Sequence, residues 1–405
     1  MNKLSLRSLL IFVVASSVSV FAERPGTNDT YMVIDLSAGA SATDYPVSYL
    51  TGLPDPIPDT YKTTHLVFRR IPKGIFMMGA PTNEAGYWGE TQHEVTLTED
   101  FYAGVFEVTQ KQWVLVMGNN PSAHTGDRRP VEDIEYRMIR GDTLGAGWPE
   151  SDAVDAGSFL GVLRSRAGLK LDLPTEAQWE YACRAGTTLG YNDQTKNNGA
   201  GSDCIKYNSG GVDANLEPLA WYAGNSISDH HHEVGLKQAN AWGLYDMTGN
   251  VFEWCLDWWQ YYTSDAVVDP VGADNSEQRY IRILRGGAHF YDAFQCRSAA
   301  RYWSQPHNEM PDGATAGGGY VGFRLSYTVP NPDPIGRIAY SASQAGGAGV
   351  SWDTTLDQSY TVETNASLLH PNWGIYETVT GTGGRASVFA PVDQATLFYK
   401  VSSDR

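Results

Sequence analysis

The sequence predicts an α+β domain that is rich in loops and is followed by a small all-β module. Three features of the 405-residue chain point that way. Two stretches carry helix-start signals with matching apolar faces. The remaining apolar runs are short, strand-like and separated by long connections, in a composition with 42 Gly, 12 Trp and 23 Tyr. A proline-marked segment, Val329-Pro-Asn-Pro-Asp-Pro334, then separates this region from a tail of different texture. Two modest helices among many short strands are the pattern of an α+β fold.

In chain order, residues 1–22 read as a secretory signal peptide. Lys3 and Arg7 form the charged start, Leu9–Val14 and Val18–Phe21 the apolar stretch, and Val20-Phe-Ala22 suits cleavage after small residues. Ala15, Ser16, Ser17 and Ser19 interrupt the apolar stretch, which argues against a permanent anchor. Residues 23–65 read as an irregular extension with one strand-like run, Tyr31–Leu36. The main domain is expected over residues 66–328. Within it, Thr109-Gln-Lys-Gln112 and Thr175-Glu-Ala-Gln178 match the capping box, in which hydroxyl and amide satisfy orphan N–H groups reciprocally. Trp113, Val116 and Met117, and then Ala177, Tyr181, Ala182 and Ala185, fall at helical spacing as core faces, and Gly186 is placed to close the second helix. After the linker at 329–334, residues 335–405 read as a small β-sandwich. Its strand candidates are Ser359–Thr364 and Thr396–Val401, with Trp352 and Trp373 as core bulk. It is similar to the immunoglobulin-like or fibronectin-like tails of exported bacterial proteins.

Removal of residues 1–22 takes two of the 29 basic residues and no acidic one, leaving 27 against 46 acidic, a net charge of −19. That balance excludes nucleic acid and anionic membrane as partners, since both require clustered cations. Cys183, Cys204, Cys255 and Cys296 are far apart, so an oxidising compartment would permit up to two disulfides, in any of three pairings.

The richest stretch is Asn240–Trp259, which sets large aromatics among the carboxylates Asp246, Glu253 and Asp257 around Thr248-Gly-Asn250. Together with Leu173–Tyr181, Leu284-Arg-Gly-Gly-Ala288 and Gly322-Phe-Arg-Leu325 it resembles the formylglycine-generating enzyme (sulfatase-modifying factor) family. The likeness runs from about Pro72 to Leu325 and includes Ile71–Gly79, His93–Thr98, Phe106–Trp113, Asn120-Pro-Ser122 and Arg129-Pro-Val131. It implies a C-type-lectin-like fold low in regular structure.

The family's enzymes oxidise a sulfatase cysteine to formylglycine with oxygen and copper(I), which two thiolates hold because the ion is soft. The pair follows a Gly-Gly-Ser stretch as Cys-x4-Cys. Counted from Gly286-Gly287, Tyr291 stands at the first cysteine's place and Cys296 at the second's. Counted back from Ala299-Ala-Arg301, Cys296 matches neither. On both counts the first thiol is missing, and a phenol with a pKa of about 10 is a poor replacement. The resemblance also implies a calcium site at the side chains of Asp246 and Glu253 with the carbonyls of Gly249 and Val251, a hard-oxygen set suited to that ion. A second family calcium site has no convincing match in Asn225–Asp229. The same resemblance places Tyr291, Arg301 and Trp303 along a cleft for an extended ligand. Arg301 and Arg324 equally suit pairing with buried carboxylates.

Other clusters carry less. Asp229-His-His-His-Glu233 reads as a solvated loop, because neighbouring histidines on an extended chain point apart. Gly317–Gly322 lacks the Lys-Ser/Thr of a phosphate-binding loop. No Gly-x-Ser-x-Gly nucleophile motif occurs. The expected function is therefore an exported (secreted, periplasmic or envelope) family member without oxidase activity that binds a polypeptide or a glycan. The alternative is a working formylglycine-generating oxidase acting on a sulfatase.

Overall fold

The computed structural model describes residues 29–329, except 83, 85–88, 144, 189, 193–211, 227–229, 274–280 and 305–318, together with the backbone of six strands between residues 339 and 403. The expected leader at 1–22, Cys204, Asp229 and positions 330–334 of the expected linker lie outside the described residues. The chain divides into two compact units, 1–328 and 329–405.

In the first unit the strands are β1 (Tyr31–Asp35), β2 (Val47–Leu50), β3 (His65–Ile71), β4 (Gly74–Met78), β5 (His93–Leu97), β6 (Phe101–Gly104), β7 (Phe252–Trp258), β8 (Val267–Val268), β9 (Arg282–Arg285), β10 (Tyr302–Ser304), β11 (Val321–Gly322) and β12 (Ser326–Thr328). The helices are α1 (Gln110–Met117), α2 (Tyr136–Arg140), α3 (Phe159–Ala167) and α4 (Glu176–Arg184). One sheet has the order β12-β6-β3-β1-β2, a second β10-β9-β7-β11, and a third β4-β5-β8.

The first sheet revises the reading of residues 23–65 as an irregular extension. Tyr31 pairs with Arg69 and Asp35 with His65 across β1 and β3, and β2 adds to the far side of β1. Met32, Val33 and Ile34 are buried, so this segment is part of the domain.

Both capping boxes form. Thr109 and Gln112 exchange hydrogen bonds at the start of α1, as Thr175 and Gln178 do for α4, each cap worth about 1 kcal/mol. α4 ends at Ala185 with φ 46°, one residue before Gly186. Trp179, Ala182 and Cys183 on α4 join the core with Val95, Phe101, Cys255 and Ile283.

β7 is buried along its whole length although it carries Glu253 and Asp257. Charges survive there only with partners, and the fold supplies arginines. Arg285 of β9 donates to Glu180 of α4 and to the Ala300 carbonyl. Arg297 meets Glu84 at 2.7 Å and Glu90 at 2.9 Å. Arg140 and Arg164 share Asp172. Cys183 and Cys255 are buried thiols outside any disulfide, so neither takes part in the bridges that an oxidising compartment would permit. Burial pushes the Cys183 thiol up to about 11 and that of Cys255 well above its usual value, which keeps both protonated.

In the second unit, β13 (Ala339–Ala342), β14 (Gly347–Asp353) and β17 (Arg385–Pro391) form one three-stranded antiparallel sheet. β15 (Ser359–Asn365), β16 (Gly374–Thr380) and β18 (Phe398–Ser403) form another. The two runs expected as strands fall on β15 and β18.

Candidate binding cleft and buried carboxylate cluster

A cleft of about 410 Å³ opens beside β7 and β10, lined by Phe252, Trp259, Tyr261, Gln295, Tyr302 and Trp303, with Ala300 and Arg301 at its base. Strand pairing explains how these side chains meet. β10 pairs with β9, which pairs with β7, and this brings Tyr302 onto Phe252 as a stacked pair 5.1 Å apart. Tyr291 meets Phe252 edge-on at 4.8 Å and packs against Tyr302 and Tyr320 at 5.6 and 5.9 Å. Arg301 and Trp303 line the cleft, whereas Tyr291 packs against Phe252 and Tyr302 and is not among its lining residues. Sequence reasoning missed Phe252, Trp259, Tyr261 and Tyr302, although the aromatic run Trp258-Trp259-Gln260-Tyr261-Tyr262 at the end of β7 was a signal that could have found two of its walls, Trp259 and Tyr261.

Arg301 is a brace of this cleft. Its buried guanidinium grips Glu176 with two hydrogen bonds of 2.7 and 2.8 Å. It also donates to the carbonyls of Gly89 and Gln260, both at 2.8 Å. The rings of Trp259 and Tyr262 lie 4.2 and 3.8 Å from it.

Cys296 ends a single 3-10 turn, Ala293–Cys296. It is fully buried in a small apolar cluster with Tyr191, Leu216, Leu219, Ala220, Tyr222 and Ala293. Its sulfur lies so near Gly287 that a Cβ there would stand 2.6 Å away. Gln295 reaches the cleft; Cys296 is not among its lining residues. A soft-ion site needs two thiolates facing a reaction space, and the described residues around Cys296 do not fit copper(I).

The four positions assigned to calcium fold together around a turn with positive φ at Asp246 (54°), Gly249 (74°) and Asn250 (62°). Glu253 accepts from Arg324 at 2.6 Å on each oxygen and from Trp179 Nε1 at 2.7 Å. Asp246 accepts from Gly235 N at 2.6 Å through Oδ2, while its buried Oδ1 has no partner among the described residues. Glu107, a residue the sequence reading left out, lies beside them and accepts from Asn250 and Val251 N. Three buried carboxylates therefore face one guanidinium. Burial, reinforced by the carboxylate of Glu253, pushes Asp246 up to about 6. Burial with the charges of Asp246 and Glu253 pushes Glu107 well up. An orphaned carboxylate oxygen in an excess of negative charge is the environment a hard cation would relieve. By donor type the set fits calcium, with Glu253 shared with Arg324. Among the described residues no three His, Cys, Asp or Glu side chains converge as a metal site of their own.

The histidine run is not a solvated loop where it is described. His231 is fully buried against Glu132, 3.4 Å away. His230 stacks on His124 at 3.8 Å and His232 on Trp221 at 3.7 Å. Partners distant in sequence bury what looked like a polar loop.

A sequence profile of the sulfatase-modifying factor enzyme 1-like domain matches residues 54–327. The chain belongs to the sulfatase-modifying factor family. Its relatives in that family include the chaperone protein LppX of Paenibacillus barcinonensis, 33% identical over 193 residues, which are 44% of this chain and 68% of that one. The formylglycine-generating enzyme of Bos taurus is 22% identical over 309 residues, 66% of this chain and 78% of the enzyme. Among solved structures, Treponema denticola variable protein 1 superposes with a TM-score of 0.50 at 26% identity, covering 65% of this chain and 96% of that one. Among the described residues no helix is long and apolar enough to cross a membrane.

Proposed function

We propose that this sulfatase-modifying-factor-family protein is a binding protein without oxidase activity, and that its aromatic cleft receives an extended segment of a polypeptide. The observation that carries this reading is the division between cleft and thiol. The cleft presents aromatic anchors, the residue type that dominates recognition surfaces, while Cys296 is packed away from it in an apolar cluster. The relative named a chaperone protein agrees with a polypeptide ligand. We further propose that Asp246, Glu253 and the carbonyls of Gly249 and Val251 hold calcium, which would rigidify the turn that leads into β7. We also propose that residues 1–22 are a leader that sends the protein to the cell exterior or envelope, and that residues 335–405 form a small immunoglobulin-like or fibronectin-like display module.

The test uses the mature chain purified after removal of residues 1–22. An immobilised peptide library and a glycan array are probed in parallel, and the best ligand is titrated calorimetrically. Peptide binding that Trp303→Ala weakens by about tenfold, or about 1.4 kcal/mol, at unchanged melting temperature supports the cleft. Glycans bound in place of peptides would refute the polypeptide assignment. Incubation with copper(I) and a peptide bearing a Cys-x-Pro-x-Arg sulfatase motif tests the oxidase alternative. Conversion of that cysteine to formylglycine, lost in Cys296→Ser, would overturn the binding reading.

A further inference from the structure

Beside the aromatic cleft lies a second, smaller pocket of about 220 Å³, and Tyr261 lines both. Its chemistry is different. Glu176 and Asp257 line it, and among the described residues no Lys or Arg does. The positive groups nearest to it are committed elsewhere. Arg301 is bound bidentately by Glu176, and Arg282 lies between the rings of Trp258 and Tyr136.

Two acceptors in this pocket are underused. Asp257 accepts one hydrogen bond, from Glu176 N to Oδ2 at 2.7 Å, and among the described residues no donor reaches Oδ1. His93 Nδ1 lies 3.0 Å from the Thr91 carbonyl, which makes Nδ1 the protonated nitrogen and leaves Nε2 as an acceptor. Tyr262 packs edge-on against His93 at 4.7 Å, and its buried hydroxyl has no partner. Met78, Val267 and Pro270 provide apolar walls. Apolar walls with underused acceptors suit an alkyl stem that ends in a multiple donor.

We propose that this pocket is a subsite for a lysine or arginine side chain of the bound polypeptide, with Asp257 and His93 receiving its N–H groups. The assignment rests on the polypeptide reading of the neighbouring cleft and adds to it a sequence preference: a basic residue next to the residue held by the aromatic walls. Burial, together with the charge of Glu176, pushes Asp257 up to about 8. The carboxyl is therefore largely protonated at neutral pH, and a cation entering the pocket displaces that proton.

The probes are N-acetyl-lysine methylamide, N-acetyl-arginine methylamide and their uncharged norleucine counterpart, titrated into the mature chain and followed by NMR. The cationic probes are expected to bind at least about tenfold more tightly than norleucine, and Asp257→Asn, which keeps an acceptor for Glu176 N, to abolish that difference. Calorimetry on the wild-type chain, in buffers of different ionisation enthalpy, is expected to show proton release at pH 7. This arm holds even if the variant folds poorly. Equal affinity for norleucine, or the absence of proton release, overturns the subsite. Peptides that bind the cleft without basic preference would sink the subsite and leave the cleft reading intact. Asp257-dependent binding of the small cations without any peptide binding would do the reverse.

Discussion

Replacing Arg301 separates a structural role from a recognition role. Its side chain is fully buried, and its partner Glu176 is 5% exposed. Arg301→Met keeps much of the bulk but strands Glu176 beside Asp257, with Arg285 Nε at 3.6 Å from Glu176 as the nearest remaining cation. It also leaves the Gly89 and Gln260 carbonyls without their donor. Removing one partner of a buried ion pair costs about 3–5 kcal/mol, because the survivor keeps its desolvation penalty. For a domain of this size each kcal/mol lowers the melting temperature by roughly 2–4 °C, so a fall on the order of 6–20 °C is expected. The assay is thermal unfolding followed by circular dichroism, with urea unfolding to check that the m-value is unchanged. Glu176→Gln in the Arg301→Met background neutralises the stranded charge and should restore about 1–3 kcal/mol, a coupling read from the double-mutant cycle. A melting temperature within 2 °C of wild type, with ligand affinity lost, would refute the brace and return Arg301 to direct recognition.

Further outcomes follow from the carboxylate cluster and the buried histidine. Chelation is expected to lower the melting temperature by several degrees, and calcium to restore it in the wild type but not in Asp246→Asn. Elemental analysis that finds no bound calcium would remove that assignment. Asp246 is raised to about 6 in the calcium-free fold, so from about pH 4 to 6 the native state holds a proton that the unfolded chain has released. Its contribution to stability therefore falls as pH rises through that window. Calcium competes with that proton, and the gain in melting temperature on adding calcium should be larger at pH 7.5 than at pH 5. His231 behaves oppositely: burial holds its pKa below the usual value, so the unfolded chain takes up the proton first and stability drops as pH falls below about 6.5. His231→Gln should flatten that part of the melting-temperature profile, and an unchanged slope would disprove it. Thr175→Ala removes the α4 cap and should cost about 1 kcal/mol in urea unfolding without changing ligand affinity.

Much of the fold and part of the site was legible along the chain. Both capping boxes are local, since Thr175 and Gln178 lie within one helical turn, and their hydrogen bonds form whatever packs around them. The ordered motifs from Ile71 to Leu325 likewise carry the family, because each is a short run whose residue types and spacing are readable directly. Residues 31–50 read as an extension because β1 and β2 are held in the sheet by pairing, β1 with β3 and β2 with β1, which no local pattern reveals. Tertiary structure also decided what each charged or reactive side chain faces. Arg301 and Glu176 are 125 positions apart, and only the packing of α4 against β7 and β9, in the sheet that also holds β10, makes them a pair. Cys296 and Gln295 are neighbours, yet one is buried in an apolar cluster while the other lines the cleft. His231 is buried because Glu132, far away in sequence, folds against it. Sequence determines which donors and acceptors a chain possesses; packing determines which of them lose water and meet. Burial and partnership depend on contacts between distant segments, and these set the charge states and the ligand-facing surface of this protein.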